Sequence, residues 1–209
     1  MPRDASETKA RLREEAERLF ASRGLYQVTV REITEAAGQR NTSAVSYHFG
    51  SREGILREIL LHHGLHLDDE RRRLLDELGE AATTRDLVAA LLVPFAAPLA
   101  TDAGRNYLRI VAQLTGRFAA WRNVDDELTP PYLRRILTML EERPTTIPPE
   151  VRRQRVIGVI MLMTTAMAER ARALQSGKPV ELDEPTFLAN LADMIVGALE
   201  APLGPSLSP

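Results

Sequence analysis

Residues 29–50 hold two helix starts and two helix stops, and that spacing leaves room for little except a pair of short helices joined at an angle. Thr29-Val30-Arg31-Glu32 is a capping box: the threonine oxygen covers an orphan N–H and the glutamate reaches back to the cap. Val28 and Ile33 stand at the two positions of a hydrophobic staple. Gly38 stops this helix, and Gln39-Arg40 makes a polar connection. Asn41 is the expected N-cap of the next helix, Thr42 to Phe49, which Gly50 ends. With an earlier helix over Ser6–Arg23 to pack across them, these are the parts of a helix-turn-helix.

The rest of the chain also has helical period. Ser51 caps a fourth helix running towards Leu78, and five more are expected over Arg85–Ala100, Ala103–Trp121, Pro131–Arg143, Pro149–Ser176 and Glu184–Ala201. No proline falls between Pro2 and Pro94, whereas Pro94, Pro98, Pro130, Pro131, Pro144, Pro148 and Pro149 then follow closely. Proline fixes φ and lacks an N–H, so tight uninterrupted helices are expected first and longer, punctuated ones after. No alternating strand pattern is convincing. The fold class is therefore all-α with about nine helices: an N-terminal three-helix domain over 1–50 and a C-terminal helical domain over 51–209.

A helix that enters a major groove about 12 Å wide must carry small hydrogen-bonding side chains to reach base edges. Asn41, Thr42, Ser43 and Ser46 are of that kind, Val45 and Phe49 form the opposite face, and Arg40 and Arg52 bracket the helix where phosphates would lie. The chain has a formal net charge of -2, which at first argues against a polyanion partner. Placement matters more: through residue 60 there are 10 Lys+Arg against 9 Asp+Glu, with the arginines flanking the candidate reading helix.

Three segments stand in a distinctive order and spacing: Ala16-Glu17-Arg18-Leu19-Phe20-Ala21 with Gly24-Leu25-Tyr26, then Thr29-Val30-Arg31-Glu32-Ile33 with Ala36-Ala37-Gly38, then Tyr47-His48-Phe49 followed by Ser51-Arg52-Glu53. In these the chain resembles the TetR family of regulators. The resemblance implies that the third helix reads DNA, that later helices enclose a small-molecule effector, and that the last two pair with a second subunit. It further implies that Thr29 and Arg31 lie near the DNA backbone, that Tyr47 donates its hydroxyl to a phosphate with His48 beside it, and that Arg52 replaces a phosphate-holding lysine. Two departures stand out. Ser46 occupies a place that is usually aromatic, and Gly38 to Phe49 is one residue longer than the common pattern.

Phe95, Tyr107, Gln113, Phe118, Trp121, Met139, Met161 and Met163 are candidate effector contacts, with Pro94 and Pro98 expected to open space by a kink. Plain core is the competing reading of each. The last two helices are apolar nearly all round, so Val156, Ile160, Met167, Phe187, Leu191, Ile195 and Leu199 are expected at a dimer seam. Glu58, His62 and His66 recur every four residues, a spacing that can hold a metal, but no cysteine and no second ligand element support one, so no metal or cofactor is expected.

No nucleophile–base pair or phosphate loop appears, and an enzyme is not expected. No segment is apolar for the ~18 residues a membrane span requires, and a cytoplasmic protein is expected. The function expected is a homodimeric DNA-binding regulator, a repressor released from a palindromic double-stranded operator by a small effector. The alternative is an all-helical ligand-binding or adaptor dimer that no longer binds DNA.

Overall fold

The computed structural model describes residues 2–79, 81–115 and 129–205. These form nine α-helices, one 3-10 turn and no strand: α1 (Pro2–Arg23), α2 (Val30–Ala36), α3 (Ser43–Phe49), α4 (Arg52–Leu78), α5 (Thr84–Ala96), α6 (Asp102–Thr115), α7 (Pro131–Glu141), α8 (Pro149–Gln175) and α9 (Glu184–Glu200). None is long and apolar enough to cross a membrane.

The local signals around the first three helices act as written. Gly24 takes φ 102°, a conformation that L side chains resist, and ends α1 so that Leu25 folds back into the core. Thr29 and Glu32 close the capping box of α2. The Ser51 hydroxyl accepts from Gly54 N at 3.1 Å to start α4. The α3–α4 corner is tight: a Cβ on Gly54 would sit 1.9 Å from the Phe49 carbonyl oxygen, so no larger residue fits there without moving α3.

One expected start is corrected. α3 begins at Ser43, and Thr42 occupies the cap position without a side-chain cap bond. Asn41 acts from one residue further out, its Oδ1 accepting from Ser43 N at 2.9 Å. This side-chain turn closes the connection between α2 and α3. Further along, the expected fifth helix is divided. α5 ends at Ala96 and a 3-10 turn covers Ala97–Ala100, where Pro98 cannot donate to the ladder.

Two clusters of buried side chains form. The first gathers Leu12, Phe20, Leu25, Ile33 and Val45 with Ile55 and Ile59 of α4 and Ile110 of α6. The second gathers α5, α7, α8 and α9 around Leu87, Leu91, Ile136, Val156 and Ile195. Helix α4 runs through both, and Leu60 packs against each. Gln113 of α6 fastens them together: its Nε2 donates to the Phe20 carbonyl at 3.1 Å and its Oε1 accepts from Leu25 N at 2.8 Å.

Candidate nucleic-acid interface and cavity

Helix α3 has one face in the core and one in solvent. Val45 is buried, and His48 and Phe49 are half-buried. Ser43, Ser46 and Tyr47 are exposed, as are Arg40, Asn41 and Thr42 just before them. Tyr47 is 81% exposed, its ring held only edge-on against His48 at 4.9 Å. The fold gains little from an aromatic side chain kept in water. Asn41 spends its oxygen on the turn, which leaves its amide donors without a partner among the described residues. Arg40 likewise has no ion pair among them, whereas the exposed Arg31 is tied to Glu35 at 2.7 Å, which raises its pKa.

Two expected phosphate contacts are used by the fold. Thr29 is exposed, but its hydroxyl donates to Glu32 Oε2 at 2.8 Å and accepts from Glu32 N at 3.3 Å. The Thr29 amide donates to the same carboxylate at 2.8 Å, and Arg23 pairs with its other oxygen at 2.6 Å. These bonds, the Thr29 amide first, pull the Glu32 pKa down to about 2. An anion therefore already occupies the first turn of α2. Arg52 departs further from expectation. Its Nε donates to the Val28 carbonyl at 2.9 Å and its guanidinium lies 4.9 Å from the Phe20 ring centroid. A cation is unfavourable in a helix's first turn; Arg52 meets that cost by folding back onto a carbonyl and an aromatic face.

Behind this surface, a cavity of about 90 Å³ opens between α4, α5, α6, α7 and α8. Of the expected contacts, Phe95, Tyr107 and Met163 line it. Gln113 does not, because it makes the fastening to α1. Met139 packs in the second core off the lining, and Met161 points outward, 45% exposed. Phe118 and Trp121 lie outside the described residues.

Sequence reasoning missed the polar groups of this cavity. Arg71 lines it and is 3% exposed. One helical turn away, the buried Asp68 accepts from Tyr132 N at 3.0 Å and Leu133 N at 2.8 Å. It thereby caps α7, whose own N-cap, Pro130, has no side-chain oxygen. Thr115 and Thr164 add to the polar lining. A signal was available: Leu60, Gly64, Leu67, Arg71 and Leu75 recur at intervals of three and four, so Arg71 interrupts a stripe that is otherwise apolar.

The metal-spaced triad is divided among other partners. Glu58 pairs with Lys9 at 2.8 Å, and His62 Nδ1 lies 3.3 Å from Arg13 Nη1. Among the described residues no three metal-ligating side chains converge. The neighbouring His63 instead stacks on Tyr107, centroids 4.6 Å apart, and meets the buried Glu17 of α1 at 3.2 Å.

The expected dimer seam is corrected too. Val156, Ile160, Met167, Leu191, Ile195 and Leu199 are all buried within this one chain, and Ile160 lines the cavity. Phe187 is half-buried under the Arg170 guanidinium. Helices α8 and α9 are apolar nearly all round because one stripe of each enters the chain's own core. A second face stays outside, carrying Gly158, Met161 and Thr165 on α8 and Asn190, Met194 and Gly197 on α9.

Residues 12–59 match the family model described as bacterial regulatory proteins, tetR family. The chain carries a TetR-family N-terminal domain. Regulators of this family bind DNA and control transcription, often as repressors. No curated protein matches the chain. Among solved structures, the chain is similar to NalD, the secondary repressor of the MexAB-OprM multidrug efflux pump in Pseudomonas aeruginosa. The TM-score is 0.59 at 19% identity, covering 95% of this chain and 98% of that one. A protein of Shewanella sp. PV-4 assigned to the tetR family gives a TM-score of 0.60 at 15% identity, covering 91% and 97%. The fatty acid degradation regulator FadR of Bacillus halodurans gives 0.51 at 16% identity, covering 91% and 95%. At these identities the likeness is one of fold, and it extends over 91–95% of this chain.

Proposed function

We propose that this protein is a homodimeric transcriptional repressor of the cytoplasm, released from a palindromic operator by a small molecule bound in the cavity behind α4. The observation that carries the DNA-reading half is the solvent face of α3. Ser43, Ser46 and Tyr47, led in by Arg40, Asn41 and Thr42, are kept in water while Val45 anchors the helix from behind. In this reading Asn41, Thr42, Ser43 and Ser46 meet base edges, and Arg31, Arg40, Tyr47 and His48 meet phosphates. Thr29 contributes by holding α2 in register. The second subunit covers the outer faces of α8 and α9, so that two reading helices enter grooves about 34–36 Å apart.

The release half rests on connection. Tyr107 faces the cavity and stacks on His63, which is bonded to the buried Glu17 of α1. Helix α4 carries both the tight corner with α3 and the cavity residues Leu60, Gly64 and Arg71. A ligand that favours another tilt of α4 changes the separation of the two α3 helices. A coupling of about 1–3 kcal/mol corresponds to a 5–150-fold loss of operator affinity.

The test is a gel shift with the DNA upstream of the protein's own gene. The wild type should retard it. Tyr47→Phe and Arg40→Ala should weaken binding by similar factors on every sequence, with Arg40→Ala lowering the salt slope by about 1. Neither should shift the melting temperature, because both side chains are exposed. Failure of the wild type to bind any upstream segment at low salt would sink the reading and leave a ligand-binding dimer without DNA.

A further inference from the structure

The cavity contains one charged side chain among its described lining residues, and that side chain is under-partnered. Leu60, Leu91, Phe95, Val111, Leu137 and Met163 make most of the wall. Arg71 sits among them, almost wholly removed from water, with its Nε unbonded. Its ion-pair partner among the described residues is Asp68, with Nη1 3.7 Å from Oδ1, beyond hydrogen-bonding distance. The Asp68 carboxylate is already engaged: both oxygens accept backbone N–H groups at the start of α7, where the helix dipole favours a negative charge. Asp68 therefore neutralises a helix end at least as much as it neutralises Arg71.

A guanidinium has five N–H donors in a planar fork. Burying it with so few acceptors among the described residues is costly, and burial does lower the Arg71 pKa. Among the described residues, no hydrogen bond joins Arg71 to either threonine of the lining. Thr115 donates its hydroxyl hydrogen to the Ala112 carbonyl at 2.7 Å, and Thr164 bonds back to the Ile160 carbonyl at 2.8 Å. Tyr107, buried and with its pKa raised by that burial, adds a neutral phenol near Arg71. Among the described residues, the site is an apolar chamber around one fixed cation whose Nε–H has no acceptor and whose ion-pair partner stands 3.7 Å away.

We infer that the effector is a small carboxylic acid with an apolar body, its carboxylate held by the Arg71 guanidinium and its body packed against Phe95, Val111 and Met163. A carboxylate matches the fork with two parallel bonds and carries the single negative charge that one arginine can neutralise. A phosphate would bring more charge than this lining balances. A neutral alcohol would satisfy one donor and leave the cation unpaired. The inference rests on the reading of the cavity as the effector site and specifies its chemistry.

Titration calorimetry on the full chain tests it, with octanoate and benzoate set against octan-1-ol and benzyl alcohol, and octylamine as the opposite charge. The acids should bind at least tenfold more tightly than the matched alcohols, and octylamine should not bind. Arg71→Met should remove the preference for the acid while the alcohols still bind. Arg71→Lys, a point charge in place of the fork, should retain only part of it. Should Arg71→Met not fold, the wild-type ranking and Arg71→Lys decide.

Equal binding of acid and alcohol, preference for the amine, or no binding of either acid would overturn the inference. Operator release is scored separately by gel shift. An acid that binds without releasing DNA leaves the ligand class standing and breaks the release reading. Release by a neutral compound with no binding of acids does the reverse.

Discussion

The two cores are held together by different kinds of contact. Around α1, α2 and α3, helix ends are closed by residues within three or four positions of them: Thr29 with Glu32, Asn41 with Ser43, Ser51 with Gly54. At the cavity, the decisive polar contact spans a long stretch of chain, Asp68 on the N-terminus of α7, and a second long link, Gln113 on the end of α1, joins the cavity's core to the reading head. A reading head that must present the same face each time is well served by short-range closure. A chamber that must respond to a ligand needs contacts between elements that can move relative to one another. The difference teaches where each half is vulnerable: the reading head at its corners, the chamber at its buried polar links.

The largest effect is expected where a long-range link carries a charge. Asp68→Ala uncaps α7 and leaves Arg71 buried without its ion-pair partner. Breaking a buried pair from one side costs about 3–5 kcal/mol. For a chain of this size each kcal/mol is worth about 2–4 °C, so thermal unfolding should show a fall on the order of 10 °C. Asp68→Asn, which keeps one acceptor for the α7 amides, should lose less. If Asp68→Ala melts with the wild type, the contrast between the two halves is wrong at its strongest point.

Next in size is a break at a corner of the reading head. Gly54→Ala forces a methyl group into the Phe49 carbonyl oxygen, a backbone atom that can yield only by moving α3. Overpacking of this kind costs about 1–3 kcal/mol. Here the pattern is diagnostic as well as the size: DNA affinity in a gel shift should fall further than stability alone accounts for, whereas acid binding in the cavity should be nearly unchanged. Equal losses in both assays would mean that the corner supports the whole chain and not the orientation of α3.

The same contrast explains what could be read in advance. Helix ends around Gly24, Thr29, Gly50 and Ser51 were legible because cap, stop and staple lie within a few residues of one another. Phe95, Tyr107 and Met163 were legible only as large apolar groups, and the packing of α5, α6 and α8 brings them onto one cavity wall. Gln113 was misassigned to the effector because its partners lie 88 and 93 positions away in the chain, and no local pattern records that distance. The folding back of Arg52 was not legible, because its place beside the reading helix says nothing of the Val28 carbonyl and the Phe20 ring that hold it. The seam residues of α8 and α9 failed for a third reason. Periodicity shows that a helix has two apolar faces; only packing shows which one the chain keeps for itself.

The smallest effect is expected at a short-range closure, and pH exposes it. Glu32 has a pKa of about 2 in the folded chain, against an ordinary value of 4.5, chiefly through the Thr29 amide and hydroxyl and then through Arg23. A carboxylate with a depressed folded pKa contributes stability that is fully present above the unfolded value and is lost as pH falls through the folded one. Glu32→Gln keeps an acceptor for the Thr29 amide but gives up the charge. At neutral pH it should melt a little below the wild type, by an amount that shrinks as the pH is lowered from about 4.5 towards 2, where the two curves meet. A gap that stays constant across that range would mean that the carboxylate's charge contributes nothing at the start of α2. The site would then be open to an external phosphate, and Thr29 would return as a direct DNA contact.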